Sequence, residues 1–460
     1  MRDAAGATTF ETDLYALNAL ARRQVETEAG LNAQLKEIVA AFYDSDLTRY
    51  DLAAVREAAG REMQALFELR LYLRGQIPDW ANRGLMSDEV HKALRQVFLV
   101  TRYASDMLGE IAHGHVRLPH GAKTMPGFSD GGLNVLVNPA FATGDDLPFR
   151  PGDVLLVRGQ AHNSAAIARI GDVESQFSHV GILHAREDGT MVVVESLIET
   201  GAIITPLEKA LEHNLGRAIL FRHRDGRLST RAAAFVHDHV SKKQGLRQIW
   251  YDFSMKLEGY RRLYCSKLVR FAFLKASGGD VELPAYPTKL VMKNRDFLRR
   301  VGVKTNVTFA PGDMEVDPRF DIVAEWQDYR VTAALRNQDM ILTKLFEIME
   351  RDGYRFKEDI PIRLISYLGS MGARLSDETK DILAALVPKI PRNMKRKTIA
   401  VVAMLHQTAE PVLRQLTDTK REAIAATGHT PHPREVLGHL DRIVASAGGR
   451  VGYLVKPVAT

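Results

Sequence analysis

Apolar residues recur at helical spacing toward both ends of the chain and switch to short, strand-like runs between them. From about Thr9 to Val116, Leu14, Leu17, Leu20 and Ala21 keep to one face of a 3.6-residue period, and Leu66, Leu69, Leu71 and Leu73 do so more loosely. Ser87, followed by Asp88 and Glu89, predicts an N-cap with an acidic first turn, opening a helix that carries Val90, Leu94, Val97, Phe98 and Tyr103. Near Leu118 the pattern breaks, and glycines and prolines from Gly121 to Gly152 mark loop and connector. Beyond Pro151 come strand-like runs at Asp153 to Val157, His179 to Leu183, Met191 to Glu195 and Ala218 to Phe221, with a hairpin signal at Glu187-Asp188-Gly189-Thr190. Ser229 to Lys242 and Cys265 to Lys275 read as helices. Pro284, Pro287, Pro311 and Pro318 mark a linker, after which helical periodicity returns from Val331 to Ala447, with Leu342, Leu345, Phe346 and Met349 on one face. The expected layout is a helical region over 1–117, an α+β domain over 118–290, a linker over 291–330 and a helical region over 331–460.

Composition narrows the class. The 460 residues leave room for two or three domains, and 45% hydrophobic with 26% charged residues is ordinary for a folded globular protein. A net charge of +6, from 62 basic against 56 acidic side chains spread along the chain, is too slight to point to a nucleic-acid binder. No run of about 18 apolar residues predicts a membrane span. The first residues lack a basic segment followed by an apolar stretch, so no secretory leader is expected and the protein is read as cytoplasmic when made, with signal-independent export left open. The single cysteine excludes an intramolecular disulfide and a multi-thiolate zinc site. The ordinary reading of a lone cysteine is a buried small hydrophobe.

Its surroundings suggest more. Leu268, Val269 and Ala272 follow Cys265 at i+3, i+4 and i+7, so the thiol begins the buried stripe of a helix, and the turn-like Glu258-Gly259-Tyr260-Arg261-Arg262 before it places Cys265 in the first turn. Free amide N–H groups and the helix dipole there favour a thiolate and could hold an oxyanion. His179 opens a strand, with Gly181 two residues on and hence on the same face, leaving room beside the imidazole that could take the thiol's proton. Glu195 closes the apolar run Met191 to Val194, where an acid is costly without a partner. Paired with His179, it would fix the imidazole's tautomer. A plain two-residue turn at Asp188-Gly189 would turn Glu195 away from His179. An odd-length loop or a bulge would set it opposite Gly181, so an irregular hairpin is expected.

Taken in order, Gly152-Asp153-Val154-Leu155-Leu156, Ser178-His179-Val180-Gly181-Ile182, Val194-Glu195-Ser196, and Tyr251-Asp252 before Tyr264-Cys265-Ser266-Lys267-Leu268-Val269 resemble the permuted NlpC/P60 enzymes of the YiiX/YebB-like kind. The resemblance spans about Phe149 to Leu274, roughly a quarter of the chain. It implies a papain-like core with an antiparallel sheet and a nucleophile helix, in which the histidine precedes the cysteine. Cys265 would then be the nucleophile, His179 the base and Glu195 its orienting acid. Tyr251 would stand at the substrate cleft, with Ser178 and Tyr264 beside the two reacting residues as further substrate contacts. Asp153 would shape the turn into the first strand, and Lys267 would bear on the charge of the substrate.

The resulting expectation is a cysteine hydrolase acting through an acyl-thioester, without cofactor or metal, on amide bonds of cell-wall peptides. The alternative within the family is a lipid esterase or acyltransferase with the same Cys-His-Glu site. A different class of reading is a non-catalytic scaffold whose helical flanks bind a protein partner; it has no need of Cys, His and acid in register. His162, His184 and His223 lack metal-site spacing and read as solvated or structural. Ser266 lacks the GxSxG elbow of a serine nucleophile. Arg261-Arg262 would add positive potential near the thiol.

Overall fold

The computed structural model describes residues 10–114, 134–141, 149–211, 215–243, 248–290, 292, 294–372 and 394–457. Four helices come first: α1 (Phe10–Arg22), α2 (Glu28–Tyr43), α3 (Leu52–Asn82) and α4 (Asp88–His113). Ser87 caps α4 as expected, its hydroxyl accepting from the Val90 N–H at 3.3 Å. The stripe Val90, Leu94, Val97 and Phe98 packs against Leu69, Leu73 and Ile77 of α3. At about 1.5–3 kcal/mol for each large apolar side chain buried, this seam accounts for the pairing of the two long helices.

Seven strands form one sheet: β1 (Val135–Val137), β2 (Val154–Gly159), β3 (His179–Ala185), β4 (Met191–Leu197), β5 (Gly201–Pro206), β6 (Leu215–His223) and β7 (Phe320–Gln327). Their order is β1-β7-β6-β2-β3-β4-β5, and every neighbouring pair is antiparallel. Around the sheet lie α5 (His162–Ala168), α6 (Leu207–Leu211), α7 (Gly226–Ser241), α8 (Cys265–Ala276) and α9 (Asp296–Val301). The chain then runs through α10 (Thr332–Arg351), α11 (Ile360–Gly372), α12 (Arg396–Thr427) and α13 (Pro433–Ser446). The architecture is α+β, with helical segments on both sides of the sheet in sequence. Among the described residues, no helix is long and apolar enough to cross a membrane.

Side-chain alternation sorts the sheet into two faces. Val154, Leu156, Val180, Ile182 and Val194 face a core shared with Val236 of α7 and Leu268, Val269 and Ala272 of α8. Leu155, Val157, Leu183, Val193 and Leu220 face the other way, over Ala210 of α6. Gly201 begins β5 at φ +79°, and a Cβ there would lie 2.2 Å from the Ile249 carbonyl oxygen, so no other residue fits.

The region 291–330, expected to be a linker, differs. It contributes β7, which lies between β6 and β1 inside the sheet. The sequence Phe-Asp-Ile-Val-Ala-Glu-Trp-Gln hides this strand because Glu325 looks like a solvent residue, yet it is fully buried. Two arginines hold its charge: Arg102 Nε donates to Oε1 at 2.9 Å and Arg70 Nη2 to Oε2 at 3.1 Å. Arg102 also binds Glu315 and Gln176. Nearby, Arg217 of β6 pairs with Asp106 of α4, and Arg336 of α10 with Glu110. An unpaired charge in this interior would cost several kcal/mol, so these pairs fix how α3, α4 and α10 dock on the sheet.

Candidate active site

The hairpin between β3 and β4 sets the site. Its strands close at Arg186 and Thr190, where the Arg186 N–H donates to the Thr190 carbonyl at 2.9 Å around Glu187-Asp188-Gly189. Gly189 takes φ +83°. This is a three-residue loop with glycine in the left-handed position, the odd length that the candidate triad requires. Ile182 accordingly pairs with Val194, which sets Gly181 opposite Glu195 and puts Glu195 on the face of His179. The room at Gly181 is occupied: a Cβ there would lie 2.4 Å from Val193 Cγ1 and 3.4 Å from Glu195 Cβ.

A histidine and a threonine hold the Glu195 carboxylate. His179 Nε2–H donates to Oε2 at 2.7 Å, and the Thr205 hydroxyl of β5 donates to Oε1. Thr205 was not anticipated; the signal available was a hydroxyl in an apolar run next to a strand that ends in an acid. With Nε2 engaged by Glu195, Nδ1 is the nitrogen left for the thiol. Cys265 is the first residue of α8, after an extended Tyr264 whose carbonyl accepts from the Leu268 N–H at 2.9 Å. His179, the Ser266 hydroxyl and the Val180 N–H all hydrogen-bond to the sulfur.

Burial alone would raise the thiol's pKa and lower that of the imidazole, but the mutual interaction outweighs it. Hydrogen bonding to His179 and its charge lower the Cys265 pKa. The Cys265 sulfur, together with Glu195, raises that of His179 to about 10. The interaction therefore favours the thiolate–imidazolium form of the pair. Chemically, such a pair can serve as a sulfur nucleophile and a proton donor.

Both open on a cleft of about 790 Å³ whose lining includes Tyr251, Ser178 and Gly159. Tyr251 is buried, and burial first, then the nearby Cys265 charge, holds its hydroxyl pKa well above the usual value. Ser178 lines the cleft, but its hydroxyl is tied to the backbone, accepting from the Gly159 N–H at 3.2 Å. Tyr264 is not among the lining residues. Its hydroxyl is bonded to Thr308 Oγ1 at 3.1 Å, beneath the start of α8. Lys267 also departs from expectation: it is fully buried, its Nζ 2.8 Å from Asp252 Oδ2 and 2.6 Å from the Glu258 carbonyl, and it pins the loop before α8. Asp153 accepts from the Arg150 N–H at 2.8 Å and from Arg222, bracing the turn into β2. Arg261 and Arg262 are exposed. The far wall of the cleft comes from Val402, Ala403, His406, Gln407 and Glu410 of α12, which nothing in the sequence connected to the site.

A thiol, an imidazole and a carboxylate joined by hydrogen bonds, with the histidine strand before the cysteine helix in the chain, define a Cys-His-acid site on an α+β core. Residues 148–324 match a family described as permuted papain-like amidase enzymes, the YaeF/YiiX or C92 family. The central region is thus a permuted papain-like domain flanked by helices, and at a coarse level the match supports an enzyme of the amidase or hydrolase kind. Among solved structures, one described as the metalloprotein yiiX from Escherichia coli O157:H7 is 19% identical. It covers 39% of this chain and 98% of that one, with a TM-score of 0.31. No curated protein matches the chain.

Proposed function

We propose that the protein is a cysteine amidase, related to the NlpC/P60 hydrolases, that works through an acyl-thioester. One observation carries the reading: the hydrogen-bonded chain Cys265–His179–Glu195 opens on a cleft large enough for a peptide segment. The Cys265 thiolate attacks the amide carbonyl carbon, and amide N–H groups in the first turn of α8 receive the oxyanion. The His179 imidazolium gives its proton to the departing amine as the C–N bond breaks. Water then attacks the thioester and loses a proton to His179. The acid is released, and thiolate and imidazolium are restored. Glu195 keeps Nε2–H engaged so that Nδ1 faces the sulfur throughout. Peptides of the cell wall are the preferred substrate class.

A second reading, a lipid acyl hydrolase, draws on an apolar cavity of about 80 Å³ beside the cleft. Tyr251 and Ile198 line both spaces, and Phe253, Met255 and Leu298 line the cavity. It would take a short apolar group next to the scissile bond. Incubation with purified peptidoglycan and with phospholipid vesicles, read by mass spectrometry, separates the two. Peptide fragments formed by the wild type and absent with Cys265→Ala support the amidase, and released fatty acid supports the second reading. Product formation that persists in Cys265→Ala overturns both.

A further inference from the structure

The wall of the cleft carries a group of side chains that the Cys265 site does not use. His162 is the first residue of α5, and His406 and Glu410 are four apart on α12, hence on one face of that helix. One ligand atom from each lies within 4.8 Å of the others. His162 Nε2 and Glu410 Oε2 are 2.9 Å apart, and the two imidazole rings meet edge to face at 5.0 Å between centroids. His162 is 6% exposed, while the other two are half-buried and open on the cleft.

We propose that His162, His406 and Glu410 bind a divalent transition-metal ion of the zinc class. Two neutral imidazoles and a carboxylate are a ligand set of catalytic and substrate-positioning zinc sites, which leave a fourth position open. Tetrahedral bonds of about 2.1 Å would set the donors roughly 3.4 Å from one another, which fits within the present 4.8 Å limit and needs His162 Nε2 and Glu410 Oε2, now 2.9 Å apart, to separate slightly. Arg414 Nε binds Glu410 Oε1 at 3.1 Å and so aims Oε2 at the imidazoles, the orienting part that neighbours of metal ligands play.

A simple clasp between α5 and α12 needs only the His162–Glu410 bond. It gives no place to His406, which makes no hydrogen bond among the described residues yet converges on the same point. Two of the three donors lie outside the span 148–324, so the site belongs to this chain's own helical flank. A bound ion would tie α12 to α5, and because all three ligands line the cleft, a ligand bound there would be within reach to supply a further oxygen donor.

Direct metal binding tests this independently of any activity. The full-length Cys265→Ala chain, which lacks the competing thiolate, is stripped with chelator and titrated with zinc by calorimetry, and with cobalt by visible absorption. The expected result is one ion per chain, tetrahedral cobalt bands and a zinc-dependent rise in Tm. His406→Ala and Glu410→Gln, each made in the same background, weaken binding by roughly 100-fold or more and abolish the Tm rise. His406→Gln serves if the alanine variant does not fold. Absence of saturable binding overturns the proposal, as does binding that is unchanged in these variants. Binding seen with the wild type and lost in Cys265→Ala overturns it too, since it assigns the metal to the thiol.

Discussion

The ion pairs around Arg102 and the chain Cys265–His179–Glu195 both bury charge against the same sheet, yet only the second reaches open space. The Arg102 and Glu325 side chains are 1% and 0% exposed, and every neighbour is a fixed partner. The His179 side chain keeps 21% exposure, toward the cleft. In the first cluster, charges answer one another and hold helices to strands. In the second, the imidazole is the charged partner of the sulfur among the described residues, and Cys265, though buried, lines the cleft. Burial by itself therefore does not separate structural from reactive charge. What separates them is whether one face of the cluster is left for a ligand.

This contrast can be broken by substitution. Cys265→Ala should reduce amide hydrolysis on the order of 10⁴-fold or more, with Tm nearly unchanged by calorimetry. A large fall in Tm with activity retained would return Cys265 to the role of packing residue. Glu325→Ala should do the reverse, costing about 3–5 kcal/mol in denaturant unfolding because Arg70 and Arg102 lose their shared partner. The surviving folded fraction should keep its turnover. The same carboxylate sets an acid limit. Burial would raise its pKa, but the two arginines outweigh this and lower it to about 2. Its contribution to stability is present above the ordinary glutamate pKa and is withdrawn as pH falls through about 2, a loss that Glu325→Gln should remove from acid unfolding curves.

Two smaller effects sharpen the comparison. Glu195→Gln should lower turnover by about 100-fold or more and slow iodoacetamide labelling of Cys265 at about pH 6 to 7. With less support for the imidazolium, the thiol pKa rises and less thiolate is present; labelling rates equal to wild type would remove Glu195 from the site. Lys267→Met should cost about 1–3 kcal/mol, because Asp252 and the Glu258 carbonyl lose a buried partner. It should not alter the preference for charged substrates; an altered preference would put Lys267 back at the cleft.

Local chemistry made the core of the site legible. The i+3, i+4, i+7 stripe after Cys265 located the helix and its tip, and the cost of an unpartnered acid in an apolar strand singled out Glu195. Lys267 could have been read better: two residues beyond Cys265 on a helix, it points away from the thiol. Other features were hidden for physical reasons. β7 is interrupted by Glu325, whose partners Arg70 and Arg102 lie in α3 and α4, so its pattern looks solvated. Tyr264 differs from Tyr251 only in where the backbone aims it. His162 and Glu410 are 248 positions apart, and no spacing rule connects them.

The order of the chain has one more consequence, for its birth. On a ribosome, the histidine strand, the acid strand and the cysteine helix emerge before α12, so the candidate triad is complete in sequence while one wall of its cleft is still being synthesised. Until that helix is made, the cleft lacks the wall that Val402, Ala403 and His406 supply.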